Sequence, residues 1–141
     1  MTAKRVCEIS YKGKLPLPLN AQEDKDFYAA IQDIGKKRGM SLKSAFLDGS
    51  DQVKEKDWRD SKNNKITYLN WAAKQPDNAH QKEHYLHIHS GMNGKWNDAQ
   101  SNYFDYVICQ KDPNGKLLFM TFFLMFKESP LNLQQHQLQL R

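Results

Sequence analysis

Residues 75–98 read QPDNAHQKEHYLHIHSGMNGKWND, a stretch that divides into a polar loop, a strand, a glycine-marked turn and a second strand. The loop covers Gln75 to Glu83, where Pro76 and the lack of apolar periodicity argue against a helix. Tyr85 to His89 alternates large and polar groups, and Lys95 to Asn97 follows the Gly91 and Gly94 turn region, so both read as strand. Oxygen-bearing side chains gather here: Gln75, Asp77 and Glu83 in the loop, then Asn97 and Asp98 directly behind Trp96. Calcium takes about six to eight hard oxygens at roughly 2.3–2.6 Å, and Asp, Glu, Asn and Gln converging from loops are how a chain supplies them. Pro76 lies between two such side chains, where a cis peptide bond can turn both neighbours the same way.

Upstream, residues 66–71 read as strand, and the charged stretch 48–64 reads as loop, with Trp58 as its anchor into the core. Residues 44–47 read as a short strand. Before them, Asn20 stands three residues ahead of Glu23 in an N-cap arrangement, and Phe27, Ala30, Ile31 and Ile34 recur at helical spacing until Gly35 and Gly39. A shorter helix fits residues 2–9, followed by an irregular connection through Gly13, Pro16 and Pro18. Downstream, residues 103–110 form another strand candidate. The turn signal Asp112-Pro113-Asn114-Gly115 then precedes a ten-residue apolar run, 117–126, and the two flanking segments suit a hairpin. Residues 129–141 are expected to be disordered.

The 141 residues suffice for one domain, and three Trp, six Tyr and seven Phe require a folded core. The net charge of +5 is scattered, with acids interleaved among the Lys and Arg, so it predicts a solvated face and not a nucleic-acid footprint. The apolar run is too short to span a membrane. Cys7 and Cys109 are too far apart for a Cys-x-x-Cys motif, leaving one disulfide or two free thiols. No secretory signal is visible after Met1, which suggests a fragment or a start that is not natural.

Taken in order, Gln75-Pro76-Asp77, Glu83, Trp96-Asn97-Asp98 and Ile108-Cys109 resemble the C-type lectin-like domain. Phe46-Leu47-Asp48-Gly49-Ser50-Asp51 and Ile66-Thr67-Tyr68-Leu69-Asn70-Trp71 extend the resemblance over residues 2–110, leaving 111–128 as an apolar hairpin-like extension. The resemblance implies an α+β fold with two helices and two small antiparallel sheets joined by a long calcium-binding loop region. It implies a principal calcium site on Gln75, Asp77, Glu83, Asn97 and Asp98, where two sugar hydroxyls complete the shell, and an auxiliary metal site on Asp51, Glu55, Asn78 and Glu83. Gln-Pro-Asp is similar to the galactose-type order, although Ala79 stands where an aromatic ring would stack on the sugar and only His80 could substitute. Cys7 and Cys109 match the outer disulfide, while Tyr85 and Ser101 occupy the places of an inner one, and the family's first strand is missing.

The expectation is therefore a secreted or extracellular, calcium-dependent galactose-binding protein without enzymatic activity, of the kind associated with innate immunity, with a homo-oligomer as a candidate assembly. The alternative is a lectin-like domain that binds a protein or mineral surface. Two other patterns carry less. His80-Gln81-Lys82-Glu83-His84 spells an inverted zinc-peptidase motif, which needs a helix that a loop running into a strand does not provide. His87 and His89 share a strand face and read as hydrogen-bonded surface residues, while Trp71 and Trp96 read as core.

Overall fold

The computed structural model describes residues 3–37, 39, 44–102, 107–111 and 119–123. Helix α1 combines an α-helical turn, Ala3–Arg5, with a π-helical one, Val6–Ser10. Helix α2 spans Ala21–Lys37. Asn20 caps it: its Oδ1 accepts from the amides of Gln22 and Glu23 at 3.0 and 2.9 Å. Glu23 reaches back to the Leu19 amide at 2.9 Å, so side chains satisfy several donors that a helix start leaves open. Gly35 does not end this helix but lies buried within it; Gly39, at φ +63°, sits just past the end.

Strands β1 (Ser44–Ser50), β2 (Tyr85–His89) and β3 (Lys95–Ala99) form an antiparallel sheet in that order. Phe46 lies opposite His87, and Leu86, His87 and Ile88 lie opposite Asp98, Asn97 and Trp96. Ala45, Leu47, Leu86, Ile88 and Trp96 pack against Phe27 and Ile31 of α2 and against Trp58, the expected loop anchor. Phe46 belongs to a second cluster with Val6, Leu15 and Val107. Close approach decides Gly49, since a Cβ there would lie 2.2 Å from Leu86 Cδ1.

Residues 66–71 are not a strand, contrary to their pattern. They run extended beside β3 with a single parallel bridge, Trp71 to Trp96, because Tyr68, Leu69 and Trp71 pack on the core and do not join a ladder.

Strand β4 (Val107–Lys111) pairs antiparallel with β5 (Phe119–Phe123), Cys109 opposite Thr121. Gln110 also bridges Lys14 through two backbone hydrogen bonds of 2.9 and 2.8 Å, so β4 lies between that segment and β5. The 112–115 turn, residues 124–128 and the 129–141 tail lie outside the described residues. Cys7 and Cys109 are disulfide-bonded, with Cα atoms 5.3 Å apart, tying α1 to β4. Closing a loop of 102 residues corresponds to about 4.7 kcal/mol in the chain-entropy account. Tyr85 packs partly buried against the second core cluster, with its hydroxyl donating to Gln52 at 3.0 Å, and Ser101 is exposed.

Candidate metal and ligand site

The extended segment 70–72 fixes where the polar loop begins. The Trp96 amide donates to the Asn70 carbonyl at 2.7 Å and the Ala72 amide to the Trp96 carbonyl at 2.8 Å, which delivers Gln75 to the end of β3. The Gln75–Pro76 bond is cis. Past it the loop wraps around Asp98, which is 1% exposed. Asp98 Oδ1 accepts from the Asp77 amide at 3.2 Å and Oδ2 from the Asn78 amide at 2.7 Å. The loop then closes on itself: the Ala79 amide donates to Glu83 Oε2 at 3.2 Å, and the Glu83 amide to Asn78 Oδ1 at 3.1 Å.

This folding brings one carboxylate oxygen each of Asp77, Glu83 and Asp98 within 4.8 Å of one another, graded from exposed through half-buried to buried. Burial, followed by the neighbouring charges of Asp98 and Asp77, holds the Glu83 carboxyl above its ordinary range, with the Ala79 amide partly opposing. Asn97 donates through Nδ2 to the Asp98 carbonyl, and its Oδ1 is buried without a hydrogen-bond partner. Gln75 turns Oε1 onto the Asp77 amide at 3.1 Å. Of the five principal residues, three carboxylates therefore converge, with Asn97 next to one and Gln75 across the cis bond from another.

A second cluster lies beside the first. Asp51 Oδ2 accepts from the Lys56 amide at 2.8 Å, leaving Oδ1 3.1 Å from His84 Nδ1, and Glu55 Oε2 lies 3.9 Å from the same nitrogen. Asn78 contributes its amide nitrogen, which donates to Glu55. The carboxylate of Glu83 belongs to the first cluster: successive side chains of an extended chain point to opposite sides, so Glu83 faces Asp98 and His84 faces Asp51. Sequence reasoning paired Asp51 and Glu55 but missed His84. Its position at the foot of β2, opposite the end of β1, was the available signal.

His80 and Gln81 both have left-handed φ, +58° and +59°, within a single turn, so the peptidase-like motif lacks its helix. The Asn97 partner on β2, His87, is not a surface residue. It is 2% exposed beside Phe46, with ring centroids 5.3 Å apart. Burial and then the charge of His89 push its pKa down to about 3. Trp96 is fully buried, as its pattern implied, and donates through Nε1 to Asp24 of α2 at 2.8 Å.

With this geometry established, comparisons with known proteins give the site a context. A family model described as "Lectin C-type domain" matches residues 1–111. The chain is 32% identical over 108 residues to pulmonary surfactant-associated protein D of Bos taurus, covering 77% of this chain and 27% of that protein. It is 30% identical over 102 residues to C-type lectin domain family 3 member A of Homo sapiens, covering 72% and 49% respectively. The chain thus spans from about a quarter to a half of the length of these relatives. Among solved structures it is similar to the C-type lectin CEL-I from Cucumaria echinata, with a TM-score of 0.62 and 23% identity over 72% of this chain and 76% of that one, a likeness of fold.

Proposed function

The chain belongs to the C-type lectin domain family, a family of non-enzymatic carbohydrate-binding proteins, and from this we propose that it binds glycans through calcium held by Gln75, Asp77, Glu83, Asn97 and Asp98. The observation that carries the reading is the convergence of three carboxylates next to a buried Asn97 oxygen with no hydrogen-bond partner. Like charges at that separation repel, and an unpaired buried oxygen is costly, so the donor set fits a hard divalent cation. Bound there, calcium supplies the compensating charge and coordination positions that neutral sugar hydroxyls can fill. The chain's own residues do the rest: Asp98 clamps the Asp77 and Asn78 amides and so fixes the loop that presents Gln75 and Asp77.

The Gln75-Pro76-Asp77 order supports sugars of the galactose type, with His80, exposed beside Ala79, as the ring available to the apolar face of the sugar. A millimolar-range site, on the order of 0.1–1 mM, suits calcium outside the cell. The Cys7–Cys109 disulfide supports the same compartment. Clustering several copies would raise the avidity of weak single sites.

A glycan array probed with and without chelator tests the reading. Calcium-dependent retention on terminal galactose that disappears in Asp77→Ala is the expected result. Stabilisation by calcium without retention on any glycan would instead favour a lectin-like domain that recognises a protein or mineral surface.

A further inference from the structure

The oxygen set expected beside Asp51 suits calcium, but the cluster that the fold assembles contains an imidazole. One oxygen each of Asp51 and Glu55 and one ring nitrogen of His84 lie within 4.8 Å of one another. Calcium takes oxygen donors, whereas two carboxylates and a histidine are a donor set for zinc and its neighbours in the first transition row. We propose that Asp51, Glu55 and His84 form a binding site for a divalent transition metal, zinc in the first instance. It shares no side chain with the proposed sugar site, so neither reading depends on the other.

Each donor is held from a different direction by groups outside the cluster. The Asp51 side chain is 1% exposed, and its Oδ2 is occupied by the Lys56 amide, which leaves Oδ1 aimed at His84. The loop carrying Asp51 is folded tightly by the Lys54 amide on the Asp51 carbonyl at 3.0 Å. His84 is fixed through its backbone: its amide donates to the Ala99 carbonyl at 3.1 Å, and its carbonyl accepts from the Asp51 amide at 3.2 Å. Such outer contacts orient ligands in protein metal sites. Glu55, 43% exposed, accepts from Asn78 Nδ2 and leaves the cluster open to solvent. An ion there would tie the Asp51 to Asp57 loop to the foot of β2, one residue from Glu83.

The test is calorimetric titration of the full chain with zinc chloride alone, repeated in excess calcium. One zinc ion per chain that calcium does not displace is expected. His84→Ala should weaken zinc binding at least about tenfold, and Glu55→Gln, at an exposed position, should weaken it as well. His84→Asp, which makes the set all-oxygen, should lose the preference for zinc and strengthen calcium binding. Asp77→Ala should leave zinc binding unchanged while abolishing glycan retention, which separates the two sites. Equal zinc affinity in the wild type and folded His84→Ala overturns the proposal, as does loss of zinc binding in Asp77→Ala.

Discussion

Two buried aspartates, Asp24 on α2 and Asp98 on β3, stand in opposite surroundings. Asp24, 3% exposed on α2, accepts from Trp96 Nε1 at 2.8 Å, Tyr68 Oη at 3.3 Å and Asn70 Nδ2, all neutral donors. Asp98, 1% exposed on β3, accepts from two loop amides but also faces the carboxylates of Asp77 and Glu83. A buried charge among donors is compensated by the protein and holds elements together; here it pins α2 to segment 68–70 and to β3. A buried charge among other acids is left for a cation to compensate. The surroundings, and not the residue type, separate scaffold from site.

The largest effect expected from this contrast is in Asp24→Ala. Removing the acceptor strands three donors in or near the core, so stability should fall by about 3 kcal/mol or more. Urea denaturation should give the same loss in chelator and in calcium. A loss that calcium restores would place Asp24 with the site and break the contrast.

Asp77→Asn probes the other side. It keeps the shape and the backbone amide that Asp98 clamps but removes one of the three converging charges. In chelator its stability should equal or slightly exceed that of the wild type. Adding 10 mM calcium should stabilise the wild type by about 1.4–2.7 kcal/mol, the mass-action gain for a constant of roughly 0.1–1 mM, and the variant by much less. Thermal melts with and without calcium decide it. An equal gain in both proteins would detach calcium from this cluster.

A third buried titratable group lies across the sheet. His87 sits opposite Asn97, and its pKa is held at about 3 against an ordinary 6.5, chiefly by burial. Its folded-state pKa is depressed, so below pH 6.5 the unfolded chain takes up a proton that the folded one refuses. Stability should therefore drop as pH falls from 6.5 toward 3, by about 1.4 kcal/mol per pH unit. His87→Leu should flatten that slope relative to the wild type when melting is followed in chelator. An unchanged slope would assign acid sensitivity to the carboxylates alone.

How much of this was legible in the sequence follows from how far apart the partners lie. Tyr85 to His89, the Lys95 strand and the acids of the Gln75 loop were readable because alternation, Pro76 and local spacing govern them. The capping of α2 by Asn20 and Glu23 was readable for the same reason. Asp24 was not, since its partner Trp96 is 72 residues away and nothing in the helical pattern marks a buried acid. His84 was hidden similarly: it meets Asp51 across 33 residues, and only the β1 and β2 pairing brings them together. His87 looked polar because alternation gives a strand two faces, whereas both faces of this sheet are covered by packed side chains. Residues 66–71 failed for the converse reason, a strand-like composition used for packing without a ladder.

The smallest effect expected concerns specificity at the outer edge of the Asp98 cluster. Ala79 contributes through its backbone, the amide holding Glu83 Oε2 at 3.2 Å and the carbonyl accepting from the Lys82 amide at 3.3 Å, and any residue except proline supplies both bonds. Ala79→Trp should thus leave both the Asp24 contacts and calcium stabilisation intact while offering a ring to the apolar face of a sugar. Aromatic contacts of this kind are worth about 0.5–1.5 kcal/mol, so galactose affinity should rise roughly two- to twelvefold, with mannose unchanged. Frontal affinity chromatography on the two sugars measures it. If mannose gained as much as galactose, the Gln75-Pro76-Asp77 order would not be what selects the sugar, although the cation site formed by Asp77, Glu83 and Asp98 would stand.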